Sequence, residues 1–296
     1  MPLTYNGNTP AAVTYNGNPV SEVTYNGVTV WSAAPAQIGS VLTIEVPDFD
    51  TRVDLNYTQS AANAVTVDWG DGSAAFSSSN LTVSQDHTYP DEGRYEITIT
   101  CADGETWNPG GGTTGTAVID YQKEALLNAT FDSKVTTTNT NAFYQNDMLA
   151  SVSFSNSFVS TGANCFNGCQ DLNNVVLGTS FTTFGNQTFY NCIGLTSINI
   201  PSGISAISNG LFRNCTSLAS IDIPSGVSTI GSNVFNGCTS LMSITCNATT
   251  PPTISNINTF LNVPANCAIY VPAGSVAAYQ ADSMWGTRAA YIQAIP

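Results

Sequence analysis

Charge is scarce in this chain of 296 residues: 9% of positions are Asp, Glu, Lys or Arg, and six bases stand against 20 acids, for a net charge of -14. Six bases cannot build a phosphate-neutralising patch, which argues against nucleic acid as a partner. There is one histidine, His87. A Ser-His-Asp or Cys-His centre therefore has one residue to draw on, and a zinc site of the usual ligand types has little more. Long apolar runs are missing, so no segment reads as membrane-spanning, and Met1-Pro2-Leu3-Thr4-Tyr5 lacks the basic and apolar regions of a secretory leader. No cofactor is expected.

What is abundant is repetition. Phe143, Phe166, Phe189, Phe212 and Phe235 are each 23 residues apart. In the clearest copies Phe189-Tyr190-Asn191-Cys192 leads to Leu195, Ile198 and Ile200 before Pro201-Ser202-Gly203, and Phe212-Arg213-Asn214-Cys215 leads to Leu218, Ile221 and Ile223 before Pro224-Ser225-Gly226. Phe235, Cys238, Leu241 and Ile244 continue the pattern; Phe166, Cys169, Leu172 and Val175, then Phe143, Leu149, Val152 and Phe154, extend it upstream, with a half unit at Leu126, Ala129 and Phe131. A fixed period of this length means a solenoid of stacked coils, because a single unit cannot bury its own apolar face. The Leu-x-x-Ile-x-Ile run alternates as a short strand should, and Pro-Ser-Gly ends it.

Cys169, Cys192, Cys215 and Cys238 share one repeat position, which predicts an internal column of small reduced side chains rather than disulfides or a metal site. The surface left over is rich in Asn, Ser and Thr. Such a face hydrogen-bonds to sugars or to another protein, and the same residues also fill turns between coils.

The repeat resembles the BspA-like leucine-rich repeat family over residues 120–296: Ile230-Gly231-Ser232-Asn233-Val234-Phe235-Asn236-Gly237-Cys238 follows that family's phrase without a gap. The resemblance extends to Ala248–Thr253, Ile269-Tyr270-Val271-Pro272, Ser275, Val276, Tyr279 and Trp285, which look like a terminal coil and closing helix. It implies an exported bacterial surface protein. Upstream, Val65-Thr66-Val67-Asp68-Trp69-Gly70-Asp71-Gly72, then His87-Thr88-Tyr89, then Gly93–Ile99 resemble the polycystic kidney disease (PKD) domain, an immunoglobulin-like β-sandwich. Asp71-Gly72 suits a tight turn, while Tyr95, Ile97 and Ile99 alternate along a final strand. Calcium-loop spacing is absent around Asp48, Asp50, Asp68 and Asp71, although two carboxylates distant in sequence can still meet as a glycosidase pair.

The first residues carry a ten-residue repeat, Thr4-Tyr5-Asn6-Gly7, Thr14-Tyr15-Asn16-Gly17 and Thr24-Tyr25-Asn26-Gly27, ending at Val28-Thr29-Val30-Trp31. Asn-Gly is a hairpin-turn signal, and three such copies cannot bury a core alone. The array reads either as a flexible linker or as an anchor whose contacts are Tyr5, Tyr15, Tyr25 and Trp31. Its phrasing resembles short modules at the ends of tailed-phage structural proteins.

The expected fold is mostly β: an immunoglobulin-like β-sandwich followed by a leucine-rich-repeat solenoid with a C-terminal cap. The expected boundaries are 1–36 for the arm, 37–105 for the sandwich, 106–119 for a Gly/Thr-rich linker, 120–260 for the solenoid and 261–296 for the cap. Acids concentrate in the first part, with 13 acids and two bases over residues 1–119 and seven acids and four bases over 120–296. The expected function is non-enzymatic. In one version the chain is a bacteriophage virion protein, bound to capsid or tail proteins through residues 1–36 and touching a host-surface protein or glycan with the solenoid. In the other it is a BspA-like adhesin of the bacterial cell surface. A glycan-processing accessory role is a third reading. Neither nucleic acid nor membrane is an expected partner, and a homo-oligomer would suit multivalent display.

Overall fold

The computed structural model describes residues 39–46, 51–62, 64–110 and 126–296 and, within 1–38, the backbones of four strands. The chain divides into two units, Met1–Ile38 and Gly39–Pro296.

In the first unit, β1 (Val13–Tyr15) pairs antiparallel with β2 (Asn18–Val20), and β3 (Glu22–Tyr25) pairs antiparallel with β4 (Val28–Ser32). Tyr15 stands opposite Asn18 and Tyr25 opposite Val28, and the Asn-Gly pairs between them, expected to turn the chain, lie outside the described residues. The side chains of Tyr15, Tyr25 and Trp31, and the whole of Tyr5, lie outside the described residues.

The second unit begins with two sheets. The strands are β5 (Ser40–Val46), β6 (Thr51–Gln59), β7 (Val65–Asp68), β8 (Phe76–Ser77), β9 (Thr82–Tyr89), β10 (Gly93–Cys101) and β11 (Trp107–Pro109). One sheet runs β5-β10-β7-β8 and the other β11-β6-β9, all antiparallel. Burial alternates along β5 and β7 as the pleat requires, placing Leu42, Ile44, Val65 and Val67 inside. Tyr89 of β9 and Tyr95 of β10 join the sheets, with ring centroids 4.4 Å apart. Trp107–Pro109 fall inside the stretch expected to be linker, yet they form a strand against Tyr57–Gln59 and bury Trp107 completely.

The first sheet does not stop at β5. β12 (Leu126–Phe131) pairs antiparallel with β5, then β13 (Ser151–Phe154) and β14 (Asn174–Val176) follow in parallel, giving one seven-stranded sheet. Hydrogen bonding therefore passes without a break from the two-sheet region into the repeats. Ser40 Oγ donates to Asp132 Oδ1 at 3.2 Å and accepts from the Asp132 backbone N–H, pinning the same junction.

From here the 23-residue period becomes structure. Asn128, Ser151 and Asn174 are successive parallel partners, as are Thr137, Ser160 and Thr183. Further along, β15 (Ala206–Ile207), β17 (Thr229–Ile230) and β19 (Thr253–Ile254) form one parallel sheet. β16 (Ser220–Ile223), β18 (Ser243–Cys246), β20 (Ala268–Val271) and β21 (Ile292–Ala294) form another. The described residues are mostly β, with a single α-helix, α1 (Val276–Ala281).

The core is an aromatic spine. Phe143, Phe166, Phe189, Phe212, Phe235 and Phe260 stack face to face, each ring 4.9–6.3 Å from the next and within 13° of parallel. At one end Phe143 meets Phe131, which meets Trp107; at the other Phe260 meets Trp285. Each end thus closes on an indole. Such contacts add roughly 0.5–1.5 kcal/mol per pair beyond the area they bury. At the C-terminal end Trp285 Nε1 donates to the Pro252 carbonyl at 2.9 Å and Tyr279 Oη donates to the Ala248 carbonyl at 2.8 Å, so both large polar aromatics are buried with partners.

Candidate functional site

The outer loops of the repeats are built around the spine phenylalanines. Two residues after each one the backbone turns left-handed, at Gln145, Gly168, Asn191, Asn214, Gly237 and Asn262, with φ between 55° and 82°. Two residues before it the same happens at Asn141, Asn164, Gln187, Gly210 and Asn233. Asn and Gly tolerate this region best, and they hold nine of these eleven positions. The loop amides then pair with the next coil: Gln145 N–H donates to Asn167 O, Gly168 N–H to Tyr190 O and Asn191 N–H to Arg213 O, at 2.8–2.9 Å.

On this loop face lies a notch of about 330 Å³ lined by Tyr144, Gln145, Asp147, Asn167, Gly168, Gln170, Tyr190, Asn191 and Ile193. Its side chains are cross-tied between coils. Gln170 Nε2 donates to Asp147 Oδ2 at 3.1 Å, and Asn214 Nδ2 donates to Asn191 Oδ1 at 2.9 Å. The Arg213 guanidinium lies 5.4 Å over the Tyr190 ring. A second cleft of about 360 Å³ lies near the C-terminus, with Ile257, Leu261 and Tyr291 at its wall. Its one cation, Arg288, is committed to the carbonyls of Phe260, Val263 and Pro264 at 2.8–3.1 Å.

The residues that sequence reasoning weighed for chemistry are engaged in the two-sheet region. His87 stacks on Trp69, with ring centroids 4.6 Å apart, and its Nε2 donates to Asp71 Oδ2 at 2.8 Å. Tyr89 Oη donates to the Trp69 carbonyl at 2.9 Å. Burial alone would raise the Asp71 carboxyl, but hydrogen bonds from Ser73 and the pairing with His87 hold it down at about 2. Asp68 Oδ1 accepts from Gly70 N–H and Asp71 Oδ1 from Ser73 N–H, the Asx-turn bonds that close the loop after β7. Asp48 and Asp50 lie outside the described residues.

All eight cysteines are free, seven buried and Cys101 partly exposed. Cys169, Cys192, Cys215 and Cys238 do form one column, and each thiol donates to the carbonyl of the spine phenylalanine one coil back, at 2.9–3.1 Å. Burial pushes the Cys169, Cys192 and Cys215 thiols well above their usual range and Cys238 up to about 12. Such thiols are poor nucleophiles and poor ligands. No described helix is long and apolar enough to cross a membrane.

The notch leaves little trace in the sequence. Tyr144 and Tyr190 sit one residue after a spine phenylalanine, where the repeat reads Tyr, Asn, Tyr, Arg, Asn; that irregularity was the available signal.

Residues 136–263 match the model of the BspA type leucine rich repeat region in 6 copies. Among solved structures the pneumococcal vaccine antigen PcpA is similar at TM-score 0.51 and 15% identity, over 67% of this chain and 47% of that one, a likeness of fold. A T. pallidum leucine rich repeat protein matches at 26% identity and TM-score 0.40, over 46% of this chain and 66% of that one. A leucine rich cell surface protein of Faecalibacterium prausnitzii matches at 31% identity and TM-score 0.41, over 49% of this chain and 37% of that one. The chain therefore spans less than two thirds of the length of each of these proteins. No curated protein matches it.

Proposed function

We propose that this chain is a non-enzymatic adhesion module carried on a bacterial cell surface, a stiff leucine-rich-repeat solenoid that makes contact through its outer loop columns. The observation that carries the reading is the parallel register: partners 23 residues apart put side chains of one repeat position in line on a rigid face, roughly 4.8 Å per coil. The match to the BspA type repeat region supports it, since the family that the repeat resembles is commonly exported to bacterial surfaces. A face that is nearly neutral binds weakly one copy at a time, so display in many copies supplies the strength.

The finer architecture belongs to the same proposal. We read residues 37–105 as an immunoglobulin-like sandwich of the PKD kind, because Trp69, Asp71, His87 and Tyr89, the residues that carry the motif, hold one another in a single cluster. Residues 120–260 are the solenoid and 261–296 its cap. Residues 1–36 are an anchor arm with Tyr5, Tyr15, Tyr25 and Trp31 as its contacts. Copies of the chain assemble side by side for avidity, and the ligand is a host-surface protein or glycan.

The second reading, a bacteriophage head or tail fibre bound to other virion proteins through the arm, draws on one observation, the two antiparallel strand pairs Val13–Tyr15 with Asn18–Val20 and Glu22–Tyr25 with Val28–Ser32. Antibody labelling of intact cells and of purified phage particles from one culture separates the two. Label on cells and none on particles supports the surface adhesin; label on particles alone replaces it with the virion protein.

A further inference from the structure

The loop column beside the spine is uneven in a way that makes a shape. Tyr144 and Tyr190 come from coils two apart, and the coil between them contributes Asn167 and Gly168. Two coils at strand spacing separate the rings by roughly 10 Å. Gly168 has φ +82°, and a Cβ there would come within 3.2 Å of Gln145 Cγ, so the notch is open because this left-handed position holds glycine where its neighbours hold Gln145 and Asn191. Arg213 braces the Tyr190 ring from the next coil. The notch, about 330 Å³, is at the small end of ligand sites, which run roughly 300–1,000 Å³.

We propose that this notch is a binding subsite for an uncharged carbohydrate. The proposal rests on the adhesion reading above and names its ligand. An anion is disfavoured, because the lining holds the carboxylate of Asp147 and no cation. A peptide strand needs open backbone donors, whereas Gln145, Gly168 and Asn191 spend their N–H groups on the next coil. An apolar partner would desolvate the amides of Asn167, Gln170 and Asn191 without offering them a hydrogen bond, at a cost. A sugar ring matches both halves of the lining. Its C–H face packs on tyrosine, and its hydroxyls, each both donor and acceptor, suit amides that offer both functions. The Gln170–Asp147 and Asn214–Asn191 bonds hold those amides in place while using one end of each, leaving the Gln170 carbonyl oxygen and the Asn191 NH₂ group outside these two bonds.

The test is affinity electrophoresis of the full chain through gels containing dextran, yeast mannan, galactan or, as an anionic comparison, heparin, alongside binding of the labelled chain to intact bacterial and epithelial cells. The expected result is retardation by at least one neutral polysaccharide and none by heparin. Tyr144→Ala, Tyr190→Ala and the notch-filling Gly168→Asn should each weaken it roughly tenfold. Tyr190→Phe, which keeps the ring, should retain most of it, and melting temperatures report that each variant is folded. Retardation by none of the neutral polysaccharides, or retardation that the folded variants keep, overturns the proposal. Cell binding that survives periodate oxidation of surface sugars and is lost on protease treatment also overturns it, while leaving the adhesion reading standing; failure to bind any cell removes that reading instead.

Discussion

The Cys192 thiol donates to the carbonyl oxygen of Phe166 at 3.0 Å, one coil back, and Cys169, Cys215 and Cys238 repeat the bond in their own coils. The spine phenylalanine thus presents two groups to its neighbours: a ring that stacks and a carbonyl that accepts twice, from the backbone N–H three residues on and from the thiol of the next coil. Cysteine at that position is small enough to pack and polar enough to supply the donor.

Removing the donor should cost stability even though the volume change is small. Cys192→Ala removes one of the two hydrogen bonds that the Phe166 carbonyl accepts, leaving the one from Cys169 N–H, and should destabilise by about 0.5–1.5 kcal/mol, measured by urea unfolding. Cys192→Ser, which keeps a donor, should cost less than Cys192→Ala.

The same burial predicts thiol chemistry. In the folded protein an aromatic disulfide reagent should react promptly with Cys101 alone, and the seven buried thiols should react only as the chain unfolds. Rapid native-state reaction of several thiols would contradict the packed column.

Truncating the spine at its middle should be among the most damaging changes available. Phe189→Ala removes a fully buried ring that stacks on Phe166 and Phe212 and should cost about 3–5 kcal/mol. Phe189→Leu should cost less, and the difference between the two variants in denaturant midpoint checks this.

Asp71 carries a pH signature. Its folded value of about 2 lies below the ordinary carboxylate range, so its contribution is present in full above that range and is lost as pH falls from about 4 to about 2. Asp71→Asn should lower stability at neutral pH by roughly 2 kcal/mol and flatten the acid limb of the melting-temperature profile. An unchanged acid limb would show that the His87 and Ser73 contacts do not stabilise the charged carboxyl.

Left-handed positions predict their own substitutions. Asn233 has φ 57°, so Asn233→Gly should be nearly neutral, whereas Asn233→Val should cost about 1–2 kcal/mol in thermal unfolding.

Much of this was legible because period is a strong signal. Phe, Cys, Leu and Ile recur with one spacing, and the columns they form follow from stacking alone. The paired left-handed columns were hidden, because Gln145, Gly168 and Asn191 share a backbone conformation but not a residue type. The junction of β5 with β12 was hidden too, since Thr43 meets Asn128 through tertiary register rather than through any local pattern. Trp107 shows the same limit: beside a Gly/Thr-rich run it reads as linker, yet it closes the aromatic spine. The notch escaped notice because it depends on one missing side chain at Gly168, framed by residues from three coils.

Adhesion of the repeat face to a cell surface can be read out with coated beads. Beads coated with the full chain at graded density would be mixed with intact bacterial and epithelial cells. Saturable binding to at least one of them is expected, rising steeply with coat density and competed by soluble protein. Binding no greater than that of beads coated with an unrelated acidic protein, at every density, would contradict it.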